Sequence, residues 1–358
     1  MCDLNKDYKT AEECLLKGIP FALCVFPNDP VDYPKMFVCS GAVENVKHLH
    51  SDNFDNFEGF LFNRFGIQDS FSAYGIENGT VSADNTEYEG PISPYHYVAT
   101  SKNDYIRQIH SIVDSLESDA EKTVLSRIEI VESDANPITT AYRHFVGHEN
   151  CFRYILYSPK SGLWLGASPE LIADYSNSDG ILTTMSLAGT RCHSVADDKD
   201  WDRKNILEHD IVTDFISRTL SGFGMAVEAP VPTKAVFKNI EHLCHLIHAK
   251  GKISLPALLP EMTPTPAICG WPREKALHQI VDLELHDRNL YGGIIGVKEK
   301  SRTRVFLNLR CAYVENPDCL KKRYILFGGG GITRYSDPES EWEETKMKMD
   351  SLVKSIRG

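Results

Sequence analysis

The residues best able to do chemistry are carboxylates and lysines set among apolar neighbours. Read as a helix, "DRKNILEHDIVTDFISRTL", residues 202–220, places Glu208 on one face with Ile211, Val212 and Phe215. A carboxylate there must protonate, pair with a cation or ligate a metal, because burying it unpaired costs several kcal/mol. In "EKTVLSRIEIV" the alternation of a strand puts Lys122 on the side of Val124, Ile128 and Ile130. Such a lysine either snorkels to water or, once desolvated, has a lowered pKa and serves as a general base. In "GASPELIAD", Glu170 follows a proline that ends the preceding strand. It is either a plain turn residue or, in an apolar cleft, a general acid with a raised pKa.

Two glycine-containing turns and one acidic helix add to this set. Gly328 to Gly331 follow the strand-like "RYILF" but lack the Gly-Lys-Ser/Thr ending of a nucleotide P-loop. They and "LAGT" at 187–190 offer either flexible turns or exposed backbone N–H groups that could meet an anion such as a carboxylate. In "YSDPESEWEETKMKMD", residues 335–350, Asp337 or Ser336 lies near the cap with Pro338 in the first turn. Glu341, Glu344 and Lys348 then share a face, at i, i+3 and i+7, while Glu339 and Glu343 belong to solvent. "EHLCHLIHAKG" spaces His242, His245 and His248 by three, which on a helix would partly align them as for zinc. No Cys or carboxylate partner accompanies them, so the expectation is that at least one faces a ligand as a hydrogen-bond donor.

Composition narrows what these groups can serve. The 358 residues are 42% hydrophobic and 25% charged, as in a soluble globular protein with a substantial core. Thirty-eight Lys and Arg against fifty Asp and Glu leave a net charge of -12 and no basic stripe, which argues against a nucleic-acid partner. The stretch "MCDLNKDYKTAEECLLKG" is acidic where a secretory signal would be basic, and no apolar run reaches membrane-spanning length. A cytoplasmic protein is expected, with no membrane partner. Its ten scattered cysteines, without a CxxC pair, read as reduced, buried thiols.

The elements that must hold these residues are legible as pattern. Runs such as "FALCVF", "GFLFNRF", "CFRYILY", "LWLGAS", "GILTTMSLAG" and "VFLNLRCAYV" read as strands. Helical periodicity is expected near 102–118, 202–221, 274–283 and 337–356. Short polar turns such as "SNSDG" and "KEKSRTR" favour antiparallel hairpins, so the class is α+β with large sheets covered by helices. The polar stretch 77–96 is the best candidate linker.

Taken in order, "ASPELI", "LAGTR", "LEHDIV", "EHLCHLI", "TPTPAICGWP", "ELHDRNLYGGIIG", "LNLRCAYV", "LFGGGGI" and "SDPESEWEETKMK" closely resemble the chorismate-utilising enzymes. These include isochorismate, salicylate, anthranilate and aminodeoxychorismate synthases. The likeness runs from about Lys122 to Lys348; the N-terminal 95 residues match loosely. It implies two stacked antiparallel sheets flanked by helices (α/β/β/α). Residues 1–95 would be a strand-rich N-terminal portion and 96–358 the catalytic region, together forming one structural domain.

The resemblance also implies roles. Glu208 and Glu344 match Mg2+ ligands, with Glu341 binding through water; Mg2+ takes hard oxygen ligands and keeps waters. Arg310 and Lys348 match partners of the substrate's carboxylates, and His242 a histidine near the reacting hydroxyl. Backbone amides of Gly189, Thr190, Gly329 and Gly330 would complete the cradle. Lys122, where ammonia-using relatives carry Gln, implies addition of water, and Ala188 stands where aminodeoxychorismate synthases often carry a nucleophilic Lys. "RCA" at 310–312 resembles isochorismate synthases more than salicylate synthases.

The implied reaction is conversion of chorismate to isochorismate. Lys122 takes a proton from water attacking C2, the double bonds shift, and Glu170 protonates the departing C4 hydroxyl. A monomer without an amidotransferase subunit is expected. Menaquinone biosynthesis is the expected branch, with siderophore biosynthesis the alternative. A salicylate synthase, or an inactive relative acting as a scaffold, would be the rival readings. One departure stands out in "KNILEH", where Asn205 replaces the family's usual acid.

Overall fold

A computed structural model of the chain describes residues 5–39, 46–77, 97–119, 121–159, 161–192, 200–228, 230–237 and 240–358. Apart from Glu77, the expected linker at 77–96 lies outside the described residues. Two antiparallel sheets carry the fold. The first has eight strands in the order Gly270–Trp271, Lys122–Ser133, Lys322–Ile332, Cys311–Glu315, Gly162–Ser168, Phe152–Ser158, Phe21–Val25 and Lys35–Val38. The second has ten strands. Ala226–Val227, Ile240–Lys250, Ile181–Cys192, Leu171–Ser176, Arg302–Leu307, Ile294–Lys298, Gly59–Phe62, Ala73–Ile76 and Lys47–Leu49 form its path, and Val231–Phe237 pairs with Ile240–Lys250. The N-terminal strands are thus woven into both sheets, Phe21–Val25 beside Phe152–Ser158 and Gly59–Phe62 beside Ile294–Lys298.

The sheets bury one face against each other and the other against helices, which explains why strands such as "FALCV" are apolar throughout. Ala22 and Cys24 enter the core between the sheets; Phe21, Leu23 and Val25 enter a second core under helices Lys6–Leu16, Pro137–Val146 and Pro338–Arg357. Helix Lys102–Ser115 covers Leu125 and Ile332 at one end of the first sheet. On the second sheet, helix Arg203–Gly222 lies over Ile181–Cys192 and sends Val212, Ile216 and Leu220 inward.

The four expected helices form at Lys102–Ser115, Arg203–Gly222, Arg273–Leu283 and Pro338–Arg357. Three begin on side-chain caps, with Ser101, Asp202 and Asp337 accepting from Asp104, Asn205 and Ser340 N–H. Both expected hairpins form, with Ile181 opposite Ser176 and Lys298 opposite Thr303. Cys24, Cys269 and Cys311 are buried free thiols, as expected, whereas Cys319 is exposed, contrary to the expectation that the cysteines are buried. Among the described residues no helix is long and apolar enough to cross a membrane.

The two sheets meet most directly where Phe152 and Phe306 stack, ring centroids 4.4 Å apart and planes 2° from parallel. Phe26 and Phe60 pack against the same Phe152 ring. Phe152→Ala should therefore lower the unfolding free energy by about 3–5 kcal/mol, measured by urea denaturation.

Candidate active site

The chain steps between the sheets in two adjacent places, and each step delivers a charged side chain. Gly162–Ser168 belongs to the first sheet and Leu171–Ser176 to the second, so Pro169 and Glu170 form one step. Arg302–Leu307 and Cys311–Glu315 are likewise in different sheets, so Asn308, Leu309 and Arg310 form the other. The steps brace each other: Leu307 N–H donates to Glu170 O at 3.0 Å and Ala167 N–H to Arg310 O at 3.2 Å. Arg310 has a left-handed backbone, φ +48°. Buried Asn308 anchors that turn, accepting from Tyr154 Oη at 2.8 Å and donating to Leu290 O at 2.9 Å.

Between these steps and the glycine strand lies a cavity walled by Glu170, Gly189, Glu208, His242, Arg310, Gly329, Gly331 and Lys348, with Val124, Ile268, Tyr291 and Phe327 as its apolar side. Tyr291 stacks on Phe327, centroids 5.2 Å apart. Glu170 is 2% exposed, and its Oε1 has no hydrogen-bond partner among the described residues. Burial raises its pKa to about 8, against the pull of Lys122 and Lys348. At neutral pH this favours the protonated carboxyl.

Behind the wall is a layer of paired charges. Lys122, fully buried, lies 3.0 Å from Glu208 Oε1. Burial lowers the Lys122 pKa, although Glu208 opposes this. Burial also works against the Glu208 carboxylate, but Lys122 and Lys204 overcome it and bring its pKa down to about 2. Strand parity turns the lysine inward as expected, with Ile128 in the core between the sheets, but Lys122 stands behind Glu208 and does not itself line the cavity, whereas Val124 does.

The pair fits because residue 331 is glycine: a Cβ there would stand 2.2 Å from Glu208 Oε1 and 2.9 Å from Lys122 Cε. At residue 330 a Cβ would stand 2.7 Å from Glu341 Oε2. These glycines make room for buried carboxylates, a use that glycine composition alone does not announce.

On helix Pro338–Arg357 the expected face forms: Glu341 is buried, Glu344 and Lys348 are half-buried, and Glu339 and Glu343 are exposed. Glu341 Oε1 accepts from Ser336 Oγ at 2.7 Å and lies 2.9 Å from Lys204 Nζ. Burial raises its pKa. Lys348 Nζ donates to Glu344 Oε1 at 2.7 Å and to Gly329 O at 2.9 Å, so its charge is shared before any substrate arrives.

The expected amide cradle needs correction at two positions. Val124 N–H goes to Cys269 O and Ser126 N–H to Glu284 Oε1, so the odd residues of strand Lys122–Ser133 face the glycine strand. Gly330, opposite Leu125, spends its amide in that ladder, and it does not line the cavity. Gly329 and Gly331 turn to the other edge, which is open because Cys311–Glu315 pairs no further than Leu326. Thr190 N–H is also committed, donating to Asn205 Oδ1 at 2.8 Å.

That bond gives the "KNILEH" departure a structural meaning. Gly189, at φ +74°, makes a bulge in the pairing with Ile240–Lys250, and a Cβ there would meet Asn205 O at 3.0 Å. Asn205 ties this bulge to the helix start, donating in turn to both oxygens of Asp202.

The three histidines lie on a strand, Ile240–Lys250, and so cannot converge as on a helix. His245 faces His209, with Nδ1 2.9 Å from His209 Nε2, and His248 Nδ1 meets Thr183 Oγ1 at 3.0 Å. Only His242 reaches the cavity. Its Nδ1 donates to Gly189 O at 3.2 Å, which leaves Nε2 to accept from the Arg310 guanidinium at 3.1 Å. Burial and Arg310 lower its pKa well below the usual imidazole range, so it is neutral.

Lys204, Asn205 and Tyr291 were missed as site residues. Lys204 had a readable signal, standing four residues before Glu208 on the same helix.

Fold and cavity together define an α+β sandwich with one anion-receptive pocket backed by buried carboxylates. The chain belongs to the chorismate-binding enzymes: the family's sequence profile, described as chorismate binding enzyme, matches residues 76–357. It is 29% identical over 249 residues to the vibriobactin-specific isochorismate synthase of Vibrio cholerae, covering 65% of this chain and 61% of that one. It is 27% identical over 271 residues to an isochorismate synthase of Bacillus subtilis, covering 72% and 56%. The matches thus span a little over half the length of these relatives. In fold it resembles the menaquinone-specific isochorismate synthase of Escherichia coli, with a TM-score of 0.73 over 94% of this chain and 88% of that one at 20% identity.

The Glu170 shift has a consequence for stability. The carboxyl titrates near 8 in the fold and near 4.3 in the unfolded chain. Between those values the native state holds a proton that the unfolded state has lost, so this stability, complete at low pH, is lost as pH rises through about 8. Relative to Glu170→Gln, the wild type should lose on the order of a few kcal/mol between about pH 5 and pH 8.5 in urea titrations. Parallel pH profiles would contradict the assignment.

Proposed function

We propose that the chain is an isochorismate synthase, which adds water at C2 of chorismate and expels the C4 hydroxyl. The observation that carries this reading is a glutamate on the cavity wall whose pKa is raised to about 8, with a fully buried lysine of lowered pKa directly behind that wall, against Glu208. Lys122, whose buried amine is biased toward its uncharged form, takes a proton from the attacking water. As the C2–O bond forms and the double bonds shift, the C4–O bond breaks and Glu170 gives its proton to the leaving oxygen. Arg310 offers a guanidinium to a carboxylate, and its bond to neutral His242 fixes its direction. The Tyr291–Phe327 stack and Ile268 supply an apolar wall against the ring.

Mg2+ suits the residues behind the wall. Glu208, Glu341 and Glu344 are hard oxygen donors, and Glu341 Oε2 is buried without a hydrogen-bond partner among the described residues. No three His, Cys, Asp or Glu side chains among the described residues converge as a ready metal cage. A site of Glu208 and Glu344, with Glu341 through water, matches the way Mg2+ combines one or two carboxylates with waters and an anionic substrate. The bound ion would supply charge that orients the ring carboxylate.

Incubation with chorismate and Mg2+, followed by chromatography, should yield isochorismate. No isochorismate would overturn the reading, and pyruvate with salicylate would mark a salicylate synthase instead. Lys122→Ala and Glu170→Gln should each lower kcat by about 100- to 10,000-fold with KM little changed. Unchanged turnover in either removes that residue from its role.

A further inference from the structure

Lys204 takes no part in the proton transfers, yet it occupies the centre of the carboxylate layer. Its ammonium is 2.9 Å from Glu341 Oε1 and 3.6 Å from Glu208 Oε2, with the side chain 14% exposed. Held between two carboxylates, the ammonium is a resident cation of this layer. It leaves one carboxylate oxygen unanswered, the buried Glu341 Oε2, so the carboxylates it bridges are neutralised in part and not saturated.

Those carboxylates belong to the set assigned above to Mg2+. We infer that Lys204 is a tethered counter-ion that competes with Mg2+ for Glu208 and Glu341, closing the metal-free site and withdrawing when the metal enters. The inference presupposes the Mg2+ reading. The chemistry permits the exchange. A monovalent ammonium on a flexible four-carbon stem can swing out of the first turn of helix Arg203–Gly222, whereas a divalent ion gains more from the same two oxygens. The lysine thereby stabilises the empty site, since without it buried Glu341 would lose its ion-pair partner and Glu208 would keep Lys122 alone. The cost is weaker metal affinity, because the metal must displace a bound competitor.

The test is calorimetric titration of the full chain with MgCl2 alone, without chorismate, for wild type, Lys204→Met and Lys204→Arg. Lys204→Met should bind Mg2+ at least about tenfold more tightly than wild type. Its metal-free Tm should fall by several degrees and recover on adding Mg2+. Lys204→Arg, which keeps the charge, should stay within about threefold of wild type. Equal or weaker binding by Lys204→Met would overturn the competition. Should that variant not fold, Lys204→Gln, uncharged but polar, is held to the same tenfold criterion. Mg2+ binding by none of these proteins would overturn both the competition and the metal assignment. Wild-type turnover of chorismate, with and without a chelator, reports separately on the activity.

Discussion

A buried lysine amine and a buried carboxylate 3.0 Å apart, Lys122 and Glu208, set the terms for everything around them. The carboxylate could not be held there alone, because an unpaired charge in this interior would cost several kcal/mol. Their closeness requires a strand with no side chain at residue 331, a helix whose apolar stripe ends in a carboxylate, and a lysine at the first residue of a central strand. Each comes from a different part of the fold. The two sheets, the helix over the second sheet and the C-terminal helix are therefore needed together before any acid or base is poised.

The pair also constrains Lys122 as the proposed base. As long as Glu208 answers Lys122, the lysine is drawn toward its charged form; burial acts the other way and prevails. A carboxylate shared between the base and a cation-binding layer links proton transfer to whatever neutralises that layer. Glu170 shows the mirror conflict, with burial raising its pKa against Lys122 and Lys348, and burial again prevails. It sits on a step between the sheets, where the backbone is braced by Arg310 O and Leu307 N–H but carboxyl Oε1 has no hydrogen-bond partner among the described residues. One strand start and one sheet crossover thus give opposite protonation preferences, one behind the cavity wall and one on it.

Much of this was legible in sequence because burial writes itself as periodicity. Glu208 in phase with Val212, and Lys122 in phase with Val124 and Ile128, could be recognised as inward-facing without any coordinates. The helix bearing Glu341, Glu344 and Lys348 was readable for the same reason, and of the two candidate caps, Asp337 and Ser336, the structure uses Asp337. Illegible features depended on partners distant in sequence. That the Thr190 amide belongs to Asn205, and that the Gly330 amide belongs to the ladder opposite Leu125, follows from a bulge and a strand register. The histidine run misled because a spacing of three looks helical, whereas the chain there pairs along its length with Ile181–Cys192. Helices Lys6–Leu16 and Pro137–Val146 passed unnoticed between strong strand signals, although Asn136 followed by Pro137 is a helix start that could have been read.

The central claim is that the cavity exchanges a ring hydroxyl for one taken from solvent, with Lys122 activating the incoming water and Glu170 releasing the old oxygen. The most direct measurement is mass spectrometry of the product formed from chorismate in water enriched in the heavy oxygen isotope. Isochorismate carrying one heavy oxygen, located at the C2 hydroxyl, is the expected result. Unlabelled isochorismate, with the original hydroxyl oxygen retained, would contradict it.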